Sequence, residues 1–207
     1  YANLVGATEP RVRVVVPTGA GGYQSWLVLT QENSDLGRLI PVIIGASPSL
    51  TFMHPAMHLL QTAWEPVEAL LGMRRLVTEP LPGHTPRSVY APVAPGDSFY
   101  AVPIFDASAL AYGMPWAGDV VWASMGDALA LVGIDAPTPL PVRANAADGT
   151  ATAAIVQHVP DPNADPHTIF SQLDAVMRQY ACFFRTAADE ELPTLVADGP
   201  RDAPCTD

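Results

Sequence analysis

Residues 11–45, RVRVVVPTGAGGYQSWLVLTQENSDLGRLIPVIIG, decide how the fold is read. Arg11–Pro17 is rich in β-branched residues and reads as a buried strand. Thr18–Gly22 reads as a turn, Ser25–Thr30 as a second strand, Gln31–Gly37 as polar turn chemistry, and Arg38–Gly45 as a third strand. Strands joined by two short connections predict an antiparallel meander. Pro41 has no N–H for a ladder and belongs at an edge or a bulge.

Beyond this stretch, Pro55 suits a first helical position, and Leu59, Leu60, Ala63, Val67, Leu70 and Leu71 recur at helical spacing up to Gly72, with Pro66 splitting the run. Met73–Glu79, Arg87–Val93, Ser98–Asp106 and Asp119–Ala123 read as strands. Ser124 caps a helix over Met125–Val132, and Pro139–Arg143 reads as a short edge strand. Small, polar Asn145–Thr152 is the best boundary, and Ala153–Val159 adds a strand. Pro166 to about Ala188 is an amphipathic helix with Ile169, Leu173, Val176, Met177, Tyr180, Phe183 and Phe184 on one stripe. The expected fold is therefore α+β: a mostly antiparallel sheet with packed helices, plus a C-terminal amphipathic helix. The expected division is a domain over 11–143, a strand and helix appendage over 153–188, and an acidic tail over 189–207. The helix either covers its own sheet or packs across a two-fold axis, giving a homo-oligomer, most simply a dimer.

Composition bounds the function. Hydrophobic residues make up 49% of the 207 and charged residues 15%, which excludes wholesale disorder. Twenty-two prolines and fifteen glycines argue against a helical bundle. All ten positive charges are arginine, and the net charge is -11, so tight phosphate binding through a basic face is not expected, and nucleic acid would be at most a weak partner. Cys182 and Cys205 are too few for a disulfide framework, and no Cys/His cluster suggests structural zinc. Cys182 reads as a small buried hydrophobe. No apolar run approaches the ~18 residues of a membrane span, and residues 1–10 lack the basic and apolar regions of a signal peptide. The default is a reduced, cytoplasmic setting without a membrane partner.

Three segments occur in a telling order: Arg38–Gly45 closing on PVIIG, Ser98–Asp106 with Phe99-Tyr100-Ala101, and Val120–Val142 with Asp127-Ala128-Leu129 followed by PLPV. Together they resemble the bifunctional nuclease domain family, also called DUF151, over about residues 11–143. The resemblance implies a low-specificity, metal-dependent nuclease acting on DNA or RNA with Mg²⁺ or Mn²⁺. Several polar positions of that family are replaced here. Its Thr-His-Asp aligns with Ala56-Met57-His58, and the Arg-Pro-Ser preceding its Asp with Ser124-Met125-Gly126, which leaves Asp127. The alternative is a non-catalytic oligomeric or regulatory protein on the same fold with a degenerate site.

Asp127, in the first turn of a helix, is the leading catalytic and metal-ligating residue, or else an ordinary dipole-complementing carboxylate. Asp106 would join it if the strand and helix ends converge, giving paired carboxylates for a divalent ion; its bland reading is turn chemistry. His54 and His58, one helical turn apart, could ligate the same metal through imidazole, with His58 also catalytic, or they belong to a solvated face. Arg74 and Arg75, adjacent in the expected strand, are the only local concentration of positive charge and the expected substrate contacts, one on each face of the strand. Thr18–Gly22 lacks the Gly-Lys-Ser/Thr ending of a P-loop and is not expected to cradle phosphate.

Overall fold

In the computed structural model, which describes residues 1–30, 39, 42 and 50–205, every strand pairing within the sheet is parallel. The strands are β1 (Val14–Val15), β2 (Ser88–Val93), β3 (Trp116–Ala117) and β4 (Ala153–Gln157), in the order β1-β2-β4-β3. Val89 faces Ala153 in register and Val93 faces Gln157; β4 also pairs with β3 through Trp116 and Ile155. This overturns the antiparallel meander. Parallel neighbours need crossovers, and here the crossovers are helices.

The helices are α1 (Ala2–Thr8), α2 (Gln24–Thr30), α3 (Pro55–Trp64), α4 (Ala69–Leu76), α5 (Val102–Tyr112), α6 (Ser124–Ala130) and α7 (Asp174–Asp189). Three expected strands are therefore helical. Ser25–Thr30 lies in α2 because a distant side chain caps it: the Glu68 carboxylate accepts from the Tyr23 and Gln24 N–H groups at 2.8 and 2.9 Å. The same carboxylate caps α4 through Leu70 N, which draws most of Met73–Glu79 into a helix and carries Arg74 and Arg75 with it. Glu68 is buried, and a Cβ on Gly22 would stand 2.8 Å from its Oε1, so glycine is what lets the carboxylate approach. In Ser98–Asp106, Asp97 accepts from Phe99 N and Tyr100 N, and Pro103 takes the first turn of α5.

Asp119–Ala123 forms no strand. Its Val121 N–H, and that of Trp122, bond to the Gln157 side-chain oxygen instead of a ladder. Pro139–Arg143 contributes only an isolated antiparallel bridge, Val142 to Leu195. Arg38–Gly45 lies outside the described residues save Leu39 and Val42. The expected strands Arg87–Val93 and Ala153–Val159 are found close to their expected bounds. The run from Pro55 is split near Pro66 as expected, but Gly72 does not end it, since α4 continues to Leu76. Ser124 is the first residue of α6, not its side-chain cap: its hydroxyl bonds Asp106.

β2 and β4 are buried along their whole length, as parallel strands covered on both faces should be. Alternation sends Val89, Ala91, Val93, Ala153 and Ile155 toward one layer, with Phe105, Ala109 and Tyr112 of α5. It sends Tyr90, Ala154 and Val156 toward the other, against Phe183 of α7. Val176 and Phe183 are fully buried, each worth ~1.5–3 kcal/mol. Of the expected stripe, Phe183 is spent on its own sheet and Val176 on the Ile169 segment, while Phe184 stays exposed. Cys182 is buried as expected, but it is bonded to Cys205, not a free thiol.

Candidate ligand groove

The chain leaves β2 toward α5 on one face and leaves β4 toward α7 on the other. The carboxyl ends of these neighbouring strands are a topological switch point, where open parallel sheets take ligands. The crevice nearest β2 is filled by the chain itself: Ile169, in a 3-10 helix over Pro166–Ser171, packs with Ala94 and Val176. Asp97 fastens this segment. Its buried carboxylate bonds His167 Nδ1 at 3.2 Å, and the imidazole lies against the Phe99 ring, centroids 4.4 Å apart. Asp165 caps the same 3-10 helix and accepts from the Ser98 hydroxyl.

The open space lies beside this plug, at the ends of β3 and β4. It is a groove of about 660 Å³, with Leu140 and Leu173 among its apolar walls and Asp119, Asp174, Asp198 and His158 among its polar ones. Behind His158 runs a buried relay. The Tyr90 hydroxyl donates to Gln179 Oε1 at 2.6 Å and lies 3.1 Å from His158 Nε2; Gln179 Nε2 donates to Asp198 Oδ1 at 2.8 Å. With its proton committed to Gln179, the Tyr90 oxygen accepts from His158, so the proton of His158 resides on Nε2 and the lone pair on Nδ1. Burial pushes His158 down to about 4, so the ring is neutral near pH 7. Burial and the neighbouring Asp119 raise the Asp198 carboxyl above its usual range, while Arg178 and the Gln179 hydrogen bond pull the other way.

Asp198 is placed by α7. Arg178 donates to the Ala197 and Pro204 carbonyls, Gln179 Nε2 also donates to Val196 O, and the Cys182–Cys205 bond closes the strap beyond it.

The residues singled out in the sequence are not gathered here. His54 caps α3, its Nδ1 accepting from Ala56 N at 3.2 Å, and exposed His58 lies against Phe52. Both Asp106 oxygens are taken, by Trp122 Nε1 at 2.9 Å and Ser124 Oγ at 2.6 Å. Asp127 is exposed one turn further along α6. Arg74 and Arg75 lie in the last turn of α4 and both pair with Glu79 beyond its end, not on opposite faces of a strand. Among the described residues no group of three His, Cys, Asp or Glu side chains is arranged to hold a metal ion. The donors expected for Mg²⁺ or Mn²⁺ do not fit one: the His54 and His58 pair lies on α3, Asp106 and Asp127 lie on α5 and α6, and His54 and Asp106 are already hydrogen-bonded. No helix among the described residues is long and apolar enough to cross a membrane.

Sequence reasoning missed Tyr90, His158, Gln179 and Asp198. One signal was available: a tyrosine inside the apolar run SVYAPV, and Gln-His closing AAIVQH, are polar groups in strands buried on both faces. No family model, curated protein or solved structure matches this chain.

Proposed function

We propose that this chain is a small-molecule-binding α/β domain whose site is the groove at the carboxyl ends of β3 and β4. The relay from Gln179 through Tyr90 to His158 carries this reading. It fixes the tautomer and orientation of an imidazole in the groove wall, using side chains that the core alone would replace with apolar ones. The volume falls within the ~300–1,000 Å³ of small-molecule sites, and the place in the fold is the one such sites favour. Nuclease chemistry, implied by the family resemblance, draws no support from the dispersed Asp106, Asp127, His54 and His58. The reading stands closer to the regulatory alternative.

A fragment screen followed by NMR tests it. Binders should shift the Leu140 and Leu173 methyls and the His158 ring; binders that cluster elsewhere and leave these signals still contradict it. Incubation of single-stranded DNA and RNA with Mg²⁺ or Mn²⁺ should give no more cleavage than with EDTA. Metal-dependent cleavage abolished by Asp127→Asn would reinstate the nuclease.

A further inference from the structure

We infer that the groove is built for an organic cation, an ammonium, amidinium or guanidinium group carried on an apolar body. This rests on the reading of the groove as the binding site and goes on to name what it takes. The first support is the hydrogen-bonding character of the wall. No lysine, arginine, serine, threonine, tyrosine or tryptophan is among the described residues that line it. The one lining side chain with N–H donors other than His158 is Gln157, and its amide is spent: Nε2 donates to Trp122 O and Met125 Sδ, while Oε1 accepts from Val121 N and Trp122 N. Among the lining side chains, what remains is acceptors: the carboxylates of Asp119, Asp174 and Asp198, and His158.

His158 is the second and independent observation. The residue is 5% exposed, its Nε2 is held by Tyr90, and among the described contacts its Nδ1 has no protein partner. A buried imidazole kept neutral, with its lone pair unspent in a groove wall, is arranged to receive an N–H from a ligand. The α7 N-terminus also reaches the groove through Asp174 and Ala175, and a bare helix end would favour an anion. Here Asp174 in the first turn sets a negative charge beside that end, although no side chain caps its N–H groups. Arg178, the nearby cation, is buried and donates to the Ala197 and Pro204 carbonyls. The apolar part of the ligand would rest on Leu140, Pro139 and Leu173.

Three probes of one shape and three charges test this: benzamidine, benzamide and benzoate, each titrated into the full chain at pH 7 while the His158, Leu140 and Leu173 signals are followed. Benzamidine should shift these signals and bind at least tenfold more tightly than the other two. Asp119→Asn combined with Asp198→Asn should weaken it at least tenfold. Exposed Asp119→Asn alone, which disturbs no packing, should weaken it severalfold. Benzoate or benzamide entering the groove as tightly as benzamidine would overturn the cation and leave the groove reading standing. Benzamidine that binds only elsewhere, or none of the probes moving the groove signals, also overturns the cation. The groove reading falls with it only if the fragment screen misses the groove too.

Discussion

The Tyr90 hydroxyl donates to Gln179 Oε1 at 2.6 Å, tying β2, in the middle of the sheet, to the helix that covers its second face. Tyr90 is wholly buried and its ionisation is pushed well above the ordinary phenol range, chiefly by burial. Removing the oxygen leaves two polar groups, Gln179 Oε1 and His158 Nε2–H, without their partner. Tyr90→Phe should therefore cost about 1–3 kcal/mol in urea unfolding despite preserving the ring. A loss below about 0.5 kcal/mol would mean that the relay is not formed.

His158 makes stability depend on pH with a definite sign. Its folded value of about 4 lies below the ~6.5 of an unfolded histidine, so the unfolded chain binds the extra proton between these values. Its contribution is fully present above pH ~6.5 and is lost as pH falls toward 4, by on the order of 3 kcal/mol in all. Unfolding free energies at pH 7, 5.5 and 4 should decline more steeply for the natural chain than for His158→Gln. Parallel curves would contradict this.

Glu68 accepts from Tyr23 N, Gln24 N, Leu70 N and Gln61 Nε2 while 2% exposed. One carboxylate thus caps two helices. Glu68→Ala should destabilise by about 2–4 kcal/mol, from two lost caps at ~0.5–2 kcal/mol each plus buried donors without partners. Amide exchange at Tyr23, Gln24 and Leu70 should accelerate together; unchanged exchange at Tyr23 and Gln24 would contradict the shared cap.

Cys182 and Cys205 close a loop of sequence separation 23. Mass spectrometry of non-reduced peptides should recover the bonded pair. Reduction, or Cys205→Ser, should cost about 3 kcal/mol, the usual size for a loop of this order. Two alkylatable thiols in the folded, air-exposed chain would contradict it. An intact bond also suits an oxidising setting better than the reduced one that the cysteine count suggested.

Local signals made part of this fold legible. Ser88–Val93 and Ala153–Gln157 are apolar, β-branched runs, and Pro55 marks a helix start that local chemistry supports, whereas the helix expected at Ser124 forms without Ser124 as its cap. Strand direction was not legible, because a crossover helix such as Gln24–Thr30 owes its start to Glu68, more than forty residues away. The spacing of Ser25–Thr30 suits a strand, and a tertiary cap overrides it. The groove was illegible for the same reason. Its relay joins positions 90, 158, 179 and 198, and nothing in their spacing links them until the parallel sheet places β2 beside β4 and α7 behind both. Asp127 was conspicuous because it stands in the first turn of a helix, where carboxylates gather for local reasons; Asp106 was conspicuous only as the end of an expected strand, and it lies inside α5 instead.

The most direct test of the groove's organisation is the long-range ¹H–¹⁵N NMR spectrum of the His158 ring, followed from pH 7.5 to 4. The expected result is a single Nε2–H tautomer that remains neutral to near pH 5 and begins to titrate only toward about 4. An ordinary titration near 6.5, or a proton on Nδ1, would contradict it, because His158 would then be neither held by Tyr90 nor offering its lone pair to a ligand.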